Sequence, residues 1–503
     1  MNKFINGLID ATNIGYTENG AIKRNTTKSA LLDLFAMGGA YRSRTDEDVV
    51  LLFKNAFIEN PTYALKCLFY LRDVRGGQGE RRFFRTCMKW LAGYNASAVS
   101  RNLKYVPEFG RWDDLLIFIG TTQEKKALDV LKSQLELDVQ CKTPSLLAKW
   151  LPSENTSSAK TRSQARVVRH YLNMTAKQYR KTLSILRARI NVLERLMSEG
   201  RWDEIEFDKI PSKAGLKYKN AFARHDIERM QKNPEVKTYA DFAKDTNTKV
   251  NAKTLYPYEV VEKAIKVMCG GYNYWGRTIP MNDTDRLMVN KYWENLTDYF
   301  KSKTFNALAV VDTSASMRGT PLNVAISLGM YCAEKAKGPF AGHYVAFSRT
   351  PHLVSVEGVD FCDKVKRIYN ANLCENTNIE ATFDMLLNTA IQNHCSQDDL
   401  PQNLIIISDM EFDSARGYRY CSNANTLMEN IRVKWADHGY RMPHLIYWNV
   451  DARQNNIPED IGCGSISYVS GMSPSIFETI MSGKTGYDLM MEKLDSSRYS
   501  VIN

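Results

Sequence analysis

The run Phe305-Asn-Ala-Leu-Ala-Val-Val311 is short, apolar and rich in β-branched residues, so it predicts a buried strand rather than a helix. It closes on Asp312-Thr-Ser314-Ala-Ser316 and is followed by a helix-like stretch over 321–337. Beyond it the same alternation continues. Strands are expected at His343–Phe347, His352–Val356, Asn403–Ser408, His444–Val450 and Ser465–Ser470, with helices between most of them. Strands that alternate with helices build a doubly wound, Rossmann-like α/β sheet, here over residues 301–503. The close pair 343–347 and 352–356 is expected to be antiparallel.

In an open α/β sheet, ligands sit beyond the carboxyl ends of the strands. Asp312, Ser314 and Ser316 are hard oxygen donors at two-residue spacing, suited to Mg²⁺ or another divalent cation held partly through water. Asp409 ends a second apolar strand, and Thr377 lies on an intervening loop, so all five can converge on one cation. Thr377 and Glu380 also have capping-box spacing, which leaves a plain helix cap open for the threonine. No catalytic residue is assigned. Neither aspartate has a His or Lys beside it, Ser314 has no G-x-S-x-G elbow, and Gly483-Lys484-Thr485 lacks the upstream glycine of a P-loop. A non-enzymatic protein is expected, with a metal-dependent phosphohydrolase as the remote alternative.

Residues 1–300 read differently. After a polar stretch over 1–25, expected to be an extended arm, apolar residues recur at helical spacing in segments of about 10 to 18 residues. Paired helices stacked as an irregular, HEAT-like α-helical repeat over 26–300 would fit. Charge separates the halves. Residues 301–503 hold 18 Lys+Arg and 22 Asp+Glu (−4), and residues 1–300 hold 49 and 34 (+15), so the first half is the one suited to a polyanion.

Two clusters carry that charge. The first is Leu71-Arg72-Asp-Val-Arg75-Gly-Gly-Gln-Gly-Glu-Arg81-Arg82-Phe-Phe-Arg85, a glycine-rich turn flanked by arginines. It is open to phosphate binding or to pairing with Asp73 and Glu80. The second follows Lys149-Trp150-Leu-Pro-Ser and comprises Lys160, Arg162, Arg166, Arg169 and His170, with Trp150, Tyr171 and Tyr179 interleaved for stacking on unpaired bases. The Pro107–Leu116 segment reads as an architectural turn.

Ten cysteines are scattered without a C-x-x-C pair, and Cys67, Cys141, Cys332 and Cys395 read as small core residues. No apolar run approaches the ~20 residues of a membrane span, and no signal peptide is visible. A reducing cytoplasm is the expected compartment.

The D-x-S-x-S run, with Thr377 and Asp409 in the same chain order, resembles the metal-ion-dependent adhesion site of von Willebrand factor A domains. Phe69–Arg81, Lys149–Ser153, Ser408-Asp-Met-Glu-Phe-Asp413 and Val469-Ser-Gly-Met-Ser-Pro474 resemble an uncharacterised family of plants, fungi and large viruses including phages, itself similar to the Ro/TROVE proteins. The resemblance covers most of residues 15–490. It implies a TROVE-like helical-repeat ring closed by an A domain, binding small structured or misfolded RNA on a basic face. It also implies metal ligation by Asp312, Ser314, Ser316 and Thr377, with Asp409 direct or through water and an acidic protein partner able to complete the shell. The other reading of the same features is a metal-dependent protein–protein adaptor or virion-associated structural component, placed in host cytoplasm or virion. The Thr377 loop departs from the pattern, because Asn376 stands where the usual glycine precedes the threonine.

Overall fold

A computed structural model describes residues 12–268, 282–301, 303–347, 351–371, 378–413, 426–459 and 465–503. The chain divides into two compact units, one made of residues 1–67 and 255–496, the other of residues 68–254 and 497–503.

The first unit opens with a hairpin, β1 (Ile14–Tyr16) and β2 (Ile22–Arg24), paired antiparallel. The arm expected to be extended is therefore folded in its described part. Its main sheet has six strands: β3 (Ala307–Asp312), β4 (His343–Phe347), β5 (His352–Ser355), β6 (Asn403–Ser408), β7 (His444–Asn449) and β8 (Ile466–Ser470). They lie in the order β5-β4-β3-β6-β7-β8, all parallel except the edge pair β4–β5. The helical N-terminal region and the α/β region of mostly parallel strands are thus both present.

Burial explains the sequence pattern. Every residue of β3 is buried, as are Leu404–Ser408 of β6, which is why these strands read as continuous apolar runs instead of alternating. The helix Thr320–Lys335 crosses from β3 to β4 and packs tightly. A Cβ on its Gly329 would stand 2.5 Å from Val311, so only glycine allows that approach. The strand order reverses between β3 and β6. From β3 the chain crosses to β4 on one side and later returns to β6 on the other, which makes the β3/β6 crevice the topological switch point.

Helices assigned by periodicity to the helical half also join this unit. Pro257–Met268 packs on Thr320–Lys335. Asp283–Glu294 packs on Phe361–Ala371, where Arg286 and Asn290 both bind Asp360 and Trp293 stacks on Phe361 at 4.1 Å. The helix Ala30–Met37 lies on β8, and a Cβ on Gly39 would reach the Ser470 carbonyl at 2.6 Å.

The second unit is helical. Phe69, Phe84 and Phe109 meet edge to face at 5.2 and 5.3 Å, and Tyr499 stacks on Phe109 at 5.6 Å. Two helices, Ser212–Arg224 and Asp226–Lys232, meet at His225, and Thr238 caps a further one, Tyr239–Lys244. One local expectation is corrected here: Cys141 is exposed at the end of Glu124–Gln140 rather than in the core.

Candidate metal centre and basic surfaces

Asp312 is the last residue of β3, and Asp409 follows the last residue of β6. In the β3–β6 ladder Val311 pairs with Ile407, which brings Asp312 level with Ser408. The Ser408 hydroxyl donates to Asp312 Oδ2 at 2.6 Å and accepts from the Met410 amide at 2.9 Å. Met410 takes φ +64°, a left-handed conformation that costs a side chain about 1 kcal/mol and turns the chain sharply after Asp409. Such strained positions cluster at functional sites.

Beyond β3, Ser314 donates its backbone amide to Asp312 Oδ1 at 2.9 Å and begins the turn Ala315–Met317. The hydroxyls of Ser314 and Ser316 lie 3.0 Å apart. Both aspartates are almost fully enclosed, Asp312 at 0% and Asp409 at 1% exposure. Burial, then repulsion from Asp409, pushes the Asp312 carboxyl up to about 7.

Among the described residues, a positive group compensates this charge. Arg453 Nη2 binds Asp409 Oδ2 at 2.6 Å, from the segment just beyond β7. Glu411 lies two residues further on, 1% exposed, with burial raising its carboxyl pKa. The β1–β2 hairpin docks on this segment. Thr17 donates to the Phe412 carbonyl at 2.7 Å, and the Glu18 amide donates to Glu411 Oε2 at 2.9 Å.

The donor set fits a small hard cation. Neighbouring ligands of an octahedral Mg²⁺ at ~2.1 Å stand ~3.0 Å apart, which is the separation of the two serine hydroxyls. Asp312 supplies an anionic oxygen beside them. Asp409 already gives one oxygen to Arg453, so it would engage such an ion through water. Among the described residues no group of three or more His, Cys, Asp or Glu side chains is arranged around a cation position, so the hydroxyls are essential to this set. Thr377 lies outside the described residues, as does the loop before it. Sequence reasoning missed Ser408 and Arg453. Ser408 was visible as the residue before Asp409, and Arg453 stands beyond the carboxyl end of the strand next to β6.

In the helical unit the two basic clusters behave differently. Arg72, only 1% exposed, forks onto Asp114 at 2.9 and 2.7 Å, and Arg85 joins it through Asp114 and Asp113 at 2.6 and 2.8 Å. Arg72 is an internal cation, which corrects its assignment to a phosphate-facing surface, and Arg85 is half-buried and held by the two carboxylates. Arg75 is exposed, its guanidinium donating to the Glu108 carbonyl, and Arg81 and Arg82 are exposed. Asp73, rather than pairing with the turn's arginines, takes Arg498 and Tyr499 from the chain's last residues.

On the helix Ala159–Tyr171, Arg162 caps the Thr156 and Ser157 carbonyls, and Arg169 binds Glu154 at 2.7 Å and contacts His170 at 3.1 Å. Lys160, Arg166 and His170 are exposed, and Lys149 is half-buried. Arg166, His170, Tyr171, Ser163 and Glu124 line an open groove of about 410 Å³ with Leu128 and Val167 in its walls. Tyr179 is corrected: at 1% exposure, donating to the Pro152 carbonyl, it cannot stack on a base.

Two family models match the chain. One, described as Domain of unknown function (DUF2828), matches residues 17–145 and 136–304; the other, Domain of unknown function (DUF7788), matches residues 306–499. An uncharacterized protein of Acanthamoeba polyphaga mimivirus is 29% identical over 507 residues, covering 94% of this chain and 85% of its own length. No helix among the described residues is long and apolar enough to cross a membrane.

Proposed function

We propose, for a chain that belongs to the DUF2828 family over residues 17–304, that it is an RNA-binding, ribonucleoprotein-type protein of Ro kind. In this reading a HEAT-like basic helical region contacts RNA, and a von Willebrand factor A-like domain binds Mg²⁺ through Asp312, Ser314 and Ser316, with Asp409 through water. When bound, the ion would offer open positions to an acidic group of a partner.

One observation carries the RNA reading. The compact helical unit, residues 68–254 and 497–503, holds 37 Lys+Arg against 21 Asp+Glu, a net +16, while the rest of the chain holds 30 against 35, a net −5. Spatial clustering therefore concentrates the charge further than the division at residue 300 does. Arg166, His170 and Tyr171 in one groove supply a cation, a second donor and an aromatic edge for a nucleotide. The test is purification from the native host with and without nuclease, followed by RNA sequencing. A discrete RNA set that is lost on Arg166→Glu supports the reading, and protein free of nucleic acid overturns it.

The second reading is a metal-dependent adaptor or virion-associated component. It is favoured by the excess negative charge at Asp312 and Asp409, which a cation would neutralise, and by the viral source of the relative. It predicts partner capture that needs Mg²⁺, vanishes in Asp312→Ala and ignores nuclease.

A further inference from the structure

Three sequence motifs far apart in the chain meet in the helical unit. The glycine-rich turn contributes Arg72, Arg81 and Arg85. The Pro107–Leu116 segment contributes Arg111, Asp113 and Asp114, and the Lys-Trp-Leu-Pro-Ser run contributes Lys149 and Trp150. Arg111 forks onto Asp113 at 2.9 and 2.8 Å, and its guanidinium lies 4.0 Å from the centre of the half-buried Trp150 ring. Lys149 Nζ stands 5.8 Å from the same ring.

The cluster is unbalanced. Arg72, Arg85 and Arg111 consume both carboxylates, Asp113 and Asp114. Arg81 is left over: it is exposed, and among the described residues no hydrogen bond or ion pair holds it. Partial burial, then the nearby guanidinium groups of Arg111 and Arg85, lower its pKa against the opposing effect of Asp113 and Asp114. It also opens the helix Arg81–Tyr94, directly after the N-cap residue Glu80. A folded cluster that spends three arginines on structure and leaves a fourth facing solvent, near the guanidinium that backs the Trp150 indole, has the parts of a nucleotide site. A planar guanidinium or indole accepts a base by stacking, and unpaired cations accept phosphate.

We infer that Arg81, Lys149 and the Arg111–Trp150 pair form a subsite for single-stranded RNA, the cations holding a backbone phosphate and the Arg111–Trp150 pair stacking an unpaired base. This rests on the RNA-binding reading and assigns that reading a second place on the helical unit, outside the Arg166 groove.

The test uses the full chain and a short fluorescein-labelled oligouridine, with anisotropy read across a salt series. Trp150→Ala weakens binding about tenfold, in keeping with ~1–3 kcal/mol for a stacked base, and leaves the salt slope unchanged. Trp150→Phe, which keeps an aromatic face and the fold, retains most of the affinity. Arg81→Gln lowers the slope of log K against log salt by about 0.7, the loss of one phosphate contact to a single strand. Wild-type binding and slope in both Trp150→Ala and Arg81→Gln, with binding lost in Arg166→Glu, overturn the subsite and leave the RNA reading standing. No binding of oligouridine by the wild type at low salt overturns the subsite, and the nuclease experiment then decides the RNA reading by itself.

Discussion

The Ser408 hydroxyl donates to the buried carboxylate of Asp312 at 2.6 Å, tying the ends of two parallel strands across the point where the sheet's winding reverses. Ser408→Ala removes the donor and leaves Asp312 Oδ2 buried without it. Hydrogen bonds to charged groups contribute about 1.5–3 kcal/mol. A loss of that order in urea unfolding at pH 8, where Asp312 is largely ionised, is the expected outcome. A change below about 0.5 kcal/mol would show that the contact does not hold the strand ends.

Asp312 and Asp409 are both buried, and Arg453 binds Asp409. Adding Mg²⁺ is expected to raise the thermal midpoint of the wild type, because a ligand that binds only the folded state stabilises it. Asp312→Asn keeps the shape and removes one of two repelling charges. The metal-free variant should melt no lower than wild type and should not respond to Mg²⁺. An equal Mg²⁺ response in both proteins would place the ion elsewhere.

Arg72 and Arg166 are both arginines of the basic region, with opposite surroundings. Arg72→Met leaves Asp114 buried with Arg85 and the Arg111 amide as its remaining partners, and breaking a buried pair costs about 3–5 kcal/mol. Arg166→Glu alters an exposed side chain and should change stability by less than about 0.5 kcal/mol. Urea unfolding of the two variants separates structural from surface cations. Similar losses in both would contradict the division.

His444 begins β7 with Nδ1 3.1 Å from Asn403 Oδ1 and Nε2 3.0 Å from Ser467 Oγ, and burial lowers its pKa to about 4 from the usual 6.5. The unfolded chain therefore takes up this proton first. The stability that goes with a neutral His444 is present above pH 6.5 and lost as pH falls towards about 4. The difference in urea midpoint between wild type and His444→Gln should shift in the variant's favour across that window. A difference that stays constant from pH 7 to about 4 would remove His444 from the acid response.

Residues 497–503 fold with residues 68–254, and Asp73, 0% exposed, accepts from Arg498 and from the Tyr499 hydroxyl. Deleting these residues leaves the buried Asp73 carboxylate with the Arg75 amide but without Arg498 and Tyr499. Hydrogen exchange should quicken around Phe69, Phe84 and Phe109, whose rings pack with Tyr499, and unchanged protection there would show that the tail is dispensable.

Much of the α/β region was legible because its strands are buried on both faces. β3 and β6 read as uninterrupted apolar runs, each leading to an aspartate, so the strands and the Asp312–Asp409 pairing could be placed from residue order alone. The hairpin β1–β2 was not legible. Its strands have three residues each, and it folds against Phe412 and Glu411, almost 400 residues away, so no local pattern marks it.

The arginines draw the same line more sharply. Sequence alone determined that residues 1–300 are strongly basic and that two oxygen-bearing strand ends lie in the C-terminal half. It could not distinguish Arg72 from Arg81, because charge and helical spacing are the same for both. Only the tertiary structure decided that Arg72 turns inward to Asp114 while Arg81 is exposed near Arg111, whose guanidinium stacks on Trp150. The physical reason is that an ion pair is set by which carboxylate the fold brings within about 4 Å, and that distance is not written in any one segment of the chain.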